Sequence, residues 1–185
     1  MNHLGRGIRE LEFFVLTAGV KQPSKYTINN LNKFITILKS YKKSEIAFLC
    51  IGNPIMSDDG IGCYIYNSLI YQKDINLINA ENVPENFIKP IINLKPKLLI
   101  GIDAVEFSSQ PGEIKLFNEY EILNYSDSTH SISLKMIIDC IRESLDFTFY
   151  LVGIQPKNIM LGNVFSEEVL SSAKMLIRLI KSFYT

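Results

Sequence analysis

The fold is decided by residues 46–62, IAFLCIGNPIMSDDGIG, whose pattern changes from strand to loop to helix. Residues 46–51 are apolar and rich in β-branched and aromatic side chains, which is typical of a strand buried on both faces. Turn-forming residues fill 52–60, and apolar side chains then recur at helical spacing. We therefore expect a central strand, a loop and a helix. A loop at the carboxyl end of a parallel strand is where open α/β sheets bind ligands.

The loop carries glycines and two acidic residues, which favour different ligands. Glycines before a helix often indicate phosphate binding, because the N-terminus of a helix offers free N–H groups. The spacing of Gly52, Gly60 and Gly62 matches neither GxGxxG nor a Walker A loop. Asp58 and Asp59 would repel a phosphate, so they predict either a cap of the helix or the binding of a cation.

The composition is that of an ordinary globular chain and argues against two classes of partner. The 185 residues are 47% hydrophobic and 21% charged, which suits one domain with a sizeable core. Nineteen basic residues balance nineteen acidic residues, so no electrostatic case exists for a nucleic acid or an anionic membrane. No apolar run reaches the length of a transmembrane helix. We expect a protein that binds neither nucleic acid nor membrane.

The three cysteines, Cys50, Cys63 and Cys140, indicate the cellular compartment. Their odd number argues against a disulfide framework, and their spacing is not that of metal ligands. We expect core thiols in a reducing cytoplasm. A nucleophilic role for Cys63 is a remote alternative, because no adjacent base is visible in the sequence.

The order of the elements predicts the domain and its architecture. Residues 1–26 fit an arm, an edge strand or an extension, whereas 27–185 form a single α/β domain. Strand patterns recur in four further segments, and the third of these has the period-two alternation of an antiparallel edge strand. The four segments are 75–78, 97–103, 113–117 and 147–152. We expect a three-layer α/β/α sandwich around a mostly parallel sheet of about five strands, with one antiparallel edge strand.

Polar residues and prolines predict where the helices begin or break. Thr27 is expected to cap the first helix and Ser166 the last one. Pro84 is expected to open a short helix that Pro90 interrupts or kinks. A further apolar-periodic helix is expected over residues 131–145.

Two strands that finish in aspartate predict the site. Parallel strands ending in Asp59 and Asp103 would bring both carboxylates to one edge of the sheet. His130 precedes a predicted helix, whose positive end keeps an imidazole neutral and able to bind a metal. Two oxygens and one nitrogen suit nickel or zinc, with coordination positions left open. The alternatives are a loop histidine without such a role and a serine triad with Asp103 and His130, although no serine lies on a nucleophile elbow.

Several short motifs follow one another at consistent spacing between residues 46 and 180. They are Gly52-Asn53-Pro54 followed by Asp58-Asp59-Gly60-Ile61-Gly62, Val83-Pro84-Glu85-Asn86, Ile102-Asp103-Ala104, Pro111-Gly112-Glu113-Ile114, Thr129-His130-Ser131 and Gly153-Ile154-Gln155-Pro156. Together they resemble the nickel-iron hydrogenase maturation endopeptidases, and the set is far more specific than any single motif. Residues 1–26 have no counterpart in the core of that family.

The resemblance implies a cytoplasmic endopeptidase with an α/β/α fold. Its expected partner is the nickel-loaded precursor of a nickel-iron hydrogenase large subunit, from which it removes a C-terminal extension. The resemblance assigns Asp59, Asp103 and His130 as both metal ligands and catalytic residues. The implied metal is nickel, either carried by the substrate as a recognition signal or weakly bound, with zinc or cadmium as substitutes. A Lewis acid that polarises the scissile carbonyl is the other view of its role.

Three further residues and two other functions stay open. Asp58 is either a general base or a helix cap, and capping is favoured. Glu106 and Gln155 are polar residues expected at the same edge, where they would support the ligands. A chaperone that senses nickel in the precursor without cutting would use identical ligands. A metal-dependent amidohydrolase acting on a small substrate would bind its metal tightly on its own, and the small ligand set argues against it.

Overall fold

The computed structural model describes residues 22–123 and 129–185, with side chains outside positions 123–133. Most of the expected N-terminal arm, residues 1–21, lies outside these ranges. The last residues of that arm, Lys25 and Tyr26, belong to the first helix.

Five strands and six α-helices form in the described ranges. The strands are β1 (Ile46–Ile51), β2 (Asn76–Glu81), β3 (Leu98–Ala104), β4 (Ile114–Asn118) and β5 (Thr148–Ile154). The helices are α1 (Lys25–Leu38), α2 (Ile61–Leu69), α3 (Ile88–Leu94), α4 (Glu119–Leu123), α5 (Thr129–Arg142) and α6 (Glu167–Tyr184). Short 3-10 turns are formed by Lys43–Glu45, Ser57–Gly60 and Pro84–Phe87. Within the described part of the chain, every helix is too short or too polar to cross a membrane.

The sheet has the strand order β2-β1-β3-β5-β4. All neighbouring pairs are parallel except β4 with β5, so the predicted antiparallel edge strand is confirmed. The chain leaves β1 toward β2 on one side and later returns to place β3 on the other side. This reversal creates a topological switch point between β1 and β3, where open α/β sheets form their ligand crevice.

Helices cover both faces of the sheet, which confirms the three-layer architecture. On one face, Phe34 of α1, Ile65 of α2 and Leu176 of α6 lie in one core cluster with alternate residues of β1 and β3. On the other face, Ile91 of α3 and Ile138 of α5 lie in a second cluster with the intervening strand residues. Both faces of the central strands are therefore buried, as the uninterrupted apolar run of β1 predicts.

The prediction that Thr27 caps α1 is wrong. The N-cap is Ser24, whose Oγ accepts a hydrogen bond from the Thr27 N–H at 3.1 Å. Thr27 Oγ1 instead accepts from the Ile114 N–H at 3.0 Å, and Asn30 Oδ1 accepts from the Leu116 N–H at 3.1 Å. Thr27 and Asn30 lie three residues apart on one helix face, so α1 satisfies outward N–H groups of the edge strand β4.

Pro90 does not interrupt the helix in which it lies, although the element that Pro84 opens is divided before it. Pro84 begins a 3-10 turn as expected, but α3 starts only at Ile88, so Pro90 is the third residue of that helix. The N–H groups of a first turn have no partner within the helix, so a proline there removes no hydrogen bond.

Candidate functional site

The loop after β1 is pressed against the carboxyl ends of β1 and β3. Gly52 has φ +139°, and a Cβ there would lie 1.9 Å from the carbonyl oxygen of Asp59. A Cβ on Gly62 would lie 1.9 Å from the carbonyl oxygen of Ile51 and 2.9 Å from that of Ile102. Only glycine fits at these approaches. The glycines therefore serve close packing at the switch point, which explains why they lack phosphate-binding spacing.

Asp58 is fully buried and holds a distant loop. Its carboxylate accepts hydrogen bonds from the N–H groups of Lys157 and Asn158, each at 2.9 Å, and from the N–H and Oγ of Ser166 at 2.7 and 2.8 Å. Charge-assisted bonds of this kind offset the cost of burying a carboxylate. The capping role favoured for Asp58 is wrong, because its donors lie in the segment between β5 and α6 and not in the helix that follows it.

Ser166 occupies the N-cap position of α6, as the sequence predicts, but its side chain makes no capping hydrogen bond. Its hydroxyl donates to Asp58 instead. The start of α6 is thereby tied to the loop that follows β1, and the negative residues Glu167 and Glu168 favour the first turn of the helix through its dipole.

Asp59 and Asp103 reach the same edge of the sheet, as predicted. Asp59 is half-buried, and its Oδ2 accepts a hydrogen bond from the Asn53 N–H at 3.1 Å. Asp103 is the penultimate residue of β3 and is buried next to Gly153 of the neighbouring strand. Burial raises the pKa of the Cys63 thiol to about 11, assisted by the negative charges of Glu81, Asp103 and Asp59. These three carboxylates, which we call the acidic edge, therefore all lie near enough to one buried thiol to raise its pKa.

The neutral state of Cys63 removes it as a candidate nucleophile. A reactive cysteine needs a lowered pKa, whereas the pKa of Cys63 is raised and its Sγ donates to the carbonyl of Gly52 at 3.3 Å. Burial raises the pKa of Cys50 even further. The prediction of core cysteines is confirmed for these two residues, which are buried and free of disulfide bonds, whereas Cys140 is exposed.

Glu81 is the member of the acidic edge that sequence reasoning missed. The sequence predicts that β2 ends at Ile78, whereas the strand continues through Asn79 to Glu81. Glu81 has φ 50°, and its carbonyl accepts a hydrogen bond from the Gly52 N–H at 2.9 Å. The left-handed backbone of a non-glycine residue costs roughly 1 kcal/mol. The missed signal was a third strand with an acidic residue at its carboxyl end.

Gln155 organises the loop that follows Asp103. Its side chain is buried, and its Oε1 accepts from the N–H groups of Phe107 at 2.9 Å and Ser109 at 3.2 Å. Glu106 is exposed in the same loop and accepts from the Ser108 N–H at 2.9 Å. Gln155 therefore acts on the shape of this loop, and Glu106 caps a local turn within it.

His130 is placed by the backbone in the first turn of α5, and its side chain lies outside the described positions. Because α5 leads into β5, its N-terminus lies toward the carboxyl edge of the parallel strands. The helix covers the sheet face to which Leu99 contributes, and Asp103 follows Leu99 at even spacing along β3. Among the described side chains, no three His, Cys, Asp or Glu residues are arranged to hold a metal ion.

Fold and site together define an α/β/α protein with carboxylates at the switch point of a mainly parallel sheet. The family model described as hydrogenase maturation protease, HycI, matches residues 64–182. A relative from Methanocaldococcus jannaschii that carries the same family name is 33% identical over 154 residues, which are 78% of this chain and 90% of the relative. The chain belongs to the hydrogenase maturation protease family and is thus a peptide hydrolase.

Two further comparisons agree with this assignment. The hydrogenase 3 maturation protease of Escherichia coli K12 is 33% identical over 111 residues, which are 58% of this chain and 70% of the relative. The crystal structure of the [NiFe] hydrogenase maturation protease HycI from Thermococcus kodakarensis KOD1 superposes with a TM-score of 0.69 at 27% identity. That superposition covers 76% of this chain and 92% of the other. The predicted family is therefore confirmed by both sequence and fold.

Proposed function

We propose that this protein is a cytoplasmic endopeptidase that removes the C-terminal extension from the nickel-loaded precursor of a nickel-iron hydrogenase large subunit. The family assignment supplies the reaction class. The observation that carries the proposal is the convergence of Asp59 and Asp103 at the switch point. A Cβ on Gly62, three residues after Asp59, would lie 2.9 Å from the carbonyl oxygen of Ile102, the residue before Asp103. A polypeptide laid across this edge of the sheet would contact the half-buried Asp59, with the buried Asp103 at the end of the neighbouring strand.

The proposed ligands of the nickel carried by the precursor are Asp59, Asp103 and His130. Two carboxylates and one imidazole leave coordination positions open, so they suit an ion that arrives with ligands of its own. Asp59 fits this role because it is half-buried and held at one oxygen by Asn53. The nickel would then serve as a signal that the precursor is ready to be cut.

Proton transfer is the second task that we assign to Asp59 and Asp103. Hydrolysis of a peptide bond needs a group that accepts a proton from water and returns it to the leaving amine. Asp58 is poorly suited to this task, because its carboxylate already accepts four hydrogen bonds from Lys157, Asn158 and Ser166. Asp59 and Asp103 are therefore the better candidates.

The test mixes the purified protein with the large-subunit precursor of a hydrogenase from its own organism and follows the intact mass of that subunit. We expect the nickel-loaded precursor to lose a C-terminal peptide, while the nickel-free precursor stays intact. His130→Ala should abolish the loss, whereas Glu143→Gln, a change of an exposed acid just after the C-terminus of α5, should preserve it. An intact precursor held in a stable, nickel-dependent complex would favour the chaperone alternative. Equal cleavage of the nickel-loaded and the nickel-free precursor would contradict the signalling role of nickel.

A further inference from the structure

An exposed apolar surface lies on the two loops that Asp58 joins. It consists of Ile55, Ile159, Met160, Leu161 and Val164, which we call the apolar patch. These five are among the twelve large hydrophobic side chains that stand exposed in the described part of the chain, so exposure is concentrated here. Contiguous apolar surface on a protein of this size commonly marks a binding site.

The patch is held in place by backbone hydrogen bonds to the loop that carries Asp59. Gly162 donates to the carbonyl of Ile55 at 2.9 Å and accepts from the Ser57 N–H at 2.8 Å. The Asp58 N–H donates to the carbonyl of Asn158 at 3.0 Å. With the carboxylate bonds of Asp58 added, both loops form one unit that ends at the proposed ligand Asp59. The surface is therefore formed in advance, which lowers the entropy cost of binding to it.

The chemistry of the patch indicates what binds to it. Residues 158–166 contain no charged side chain, and Lys157 just before them is paired with Glu168 at 2.8 Å. A neutral apolar surface favours apolar side chains over a charged peptide, because desolvating charge without a partner is costly. Ile55 of the patch lies in the same loop as Asp59, and both are hydrogen-bonded to Asn53. The occupant that this placement favours is therefore the chain that is cut at the proposed active site.

We propose that the apolar patch binds apolar side chains of the precursor polypeptide that flank the scissile bond, and so determines which substrate is accepted. This inference rests on the function proposed above. Contacts of this type are made before the reaction and persist through it, so they contribute to binding more than to the chemical step. The patch is thus a specificity surface and contains no catalytic residue.

The test is steady-state cleavage of the nickel-loaded large-subunit precursor by a double variant, Met160→Ser with Leu161→Ser. We expect KM for the precursor to rise at least tenfold, with kcat changed less than about threefold. The single variant Leu161→Met should keep the wild-type KM, because it retains an apolar side chain of similar size. Val164→Ser provides an independent variant if the double variant does not fold.

The matched control is Tyr71→Ser. Tyr71 is 94% exposed and Leu161 is 78% exposed, so both changes remove a large apolar side chain from the surface. Tyr71 follows the C-terminus of α2, which points away from the carboxyl edge of the sheet, so its variant should keep wild-type kinetics.

The outcomes separate this inference from the proposed function. If wild-type protein trims the precursor and the patch variants keep its KM, the patch inference is wrong and the proposed function stands. If wild-type protein neither binds nor trims the precursor, both are wrong. If wild-type protein binds without trimming, the same comparison is made on the dissociation constant, and a tenfold weakening in the double variant alone supports the patch.

Discussion

Asp58 and Asp59 are neighbours in the sequence, yet they have different surroundings in the loop after β1. Asp58 faces inward, where its fully buried carboxylate is surrounded by donors from Lys157, Asn158 and Ser166. Asp59 faces outward, is half-buried, and accepts one hydrogen bond from Asn53. A 3-10 turn over Ser57–Gly60 makes this divergence possible, because successive side chains on a tight turn point in different directions.

The difference shows that two identical residue types can divide structure and chemistry between them. A carboxylate whose oxygens are occupied by fixed N–H groups stabilises the fold but offers little to a ligand. A carboxylate at the crevice keeps capacity for a metal or a proton. The inner acid builds the site, and the outer acid is the one that we expect to act in it.

The largest predicted effect belongs to Asp59, and the difference in role between the two acids would be refuted if cleavage did not need Asp59. Asp59→Asn should lower the cleavage rate of the nickel-loaded precursor at least about 1000-fold, roughly 4 kcal/mol in the barrier, because it removes a proposed ligand. Its free energy of unfolding should change by less than about 1 kcal/mol. Intact mass spectrometry and urea unfolding measure the two effects. A variant that still cleaves would remove Asp59 from the mechanism.

The inner acid should show the reverse pattern. Asp58→Asn should lower the free energy of unfolding by about 3 kcal/mol, because the amide places an N–H₂ group among donors and loses the charge. Cleavage by the folded fraction should fall by less than about tenfold. Urea unfolding beside Asp59→Asn tests this, and equal stability of the two variants would refute the division of roles.

A substitution that displaces the loop after β1 should affect Asp58 and Asp59 together. Gly62→Ala places a Cβ 1.9 Å from the backbone oxygen of Ile51, where neither backbone can give way cheaply. We expect a loss of about 2 kcal/mol in unfolding free energy, with a matching loss of cleavage. Gly162→Ala is the control, since its Cβ would meet only the Ser57 hydroxyl at 2.9 Å. Similar losses in both variants would show that close packing at the switch point is not the cause.

The smallest predicted effect concerns pH and the buried Cys63 thiol near the acidic edge. The pKa of Cys63 is about 11 in the folded protein and about 9 when unfolded. Below about pH 8 the thiol is protonated in both states, so it contributes no pH dependence. Between these values only the unfolded chain releases the proton, so stability falls as pH rises, by about 1 kcal/mol at about pH 9.5.

Urea unfolding of wild type and Cys63→Ala across this range measures that effect. The stability of wild type should fall more steeply with pH than that of the variant. Parallel curves would mean that burial and the acidic edge do not raise the pKa of this thiol.

The sequence predicted the fold well, because its evidence is local and repeated. The apolar run over Ile46–Ile51 is a complete strand as predicted, and the alternation in 113–117 correctly indicated an antiparallel edge strand. The predicted ends of the strands were less accurate. The apolar pattern of β2 stops at Ile78, but the strand continues, and the polar Asn79 pairs with Cys50 of β1. The lost residues included Glu81, so the error at the strand end became an error in the site.

Residue roles were harder to predict, because they depend on partners far away in the sequence. Asp58 accepts a hydrogen bond from Ser166, 108 positions away, and no local sequence pattern predicts such a contact. Thr27 has the residue type of a cap, but tertiary contact with β4 gave it another partner. The positions of Asp59 and Asp103 were predictable, since strand order and the carboxyl edge decide them. The ligand role of His130 stays a prediction.

The most direct test of the division between the two acids is a single-turnover cleavage of the nickel-loaded precursor by Asp58→Asn and Asp59→Asn, at a low temperature where circular dichroism shows both variants folded. We predict a truncated large subunit with Asp58→Asn, at a rate within about tenfold of wild type, and an intact precursor with Asp59→Asn. The opposite result, an intact precursor with folded Asp58→Asn and a truncated one with Asp59→Asn, would contradict the account.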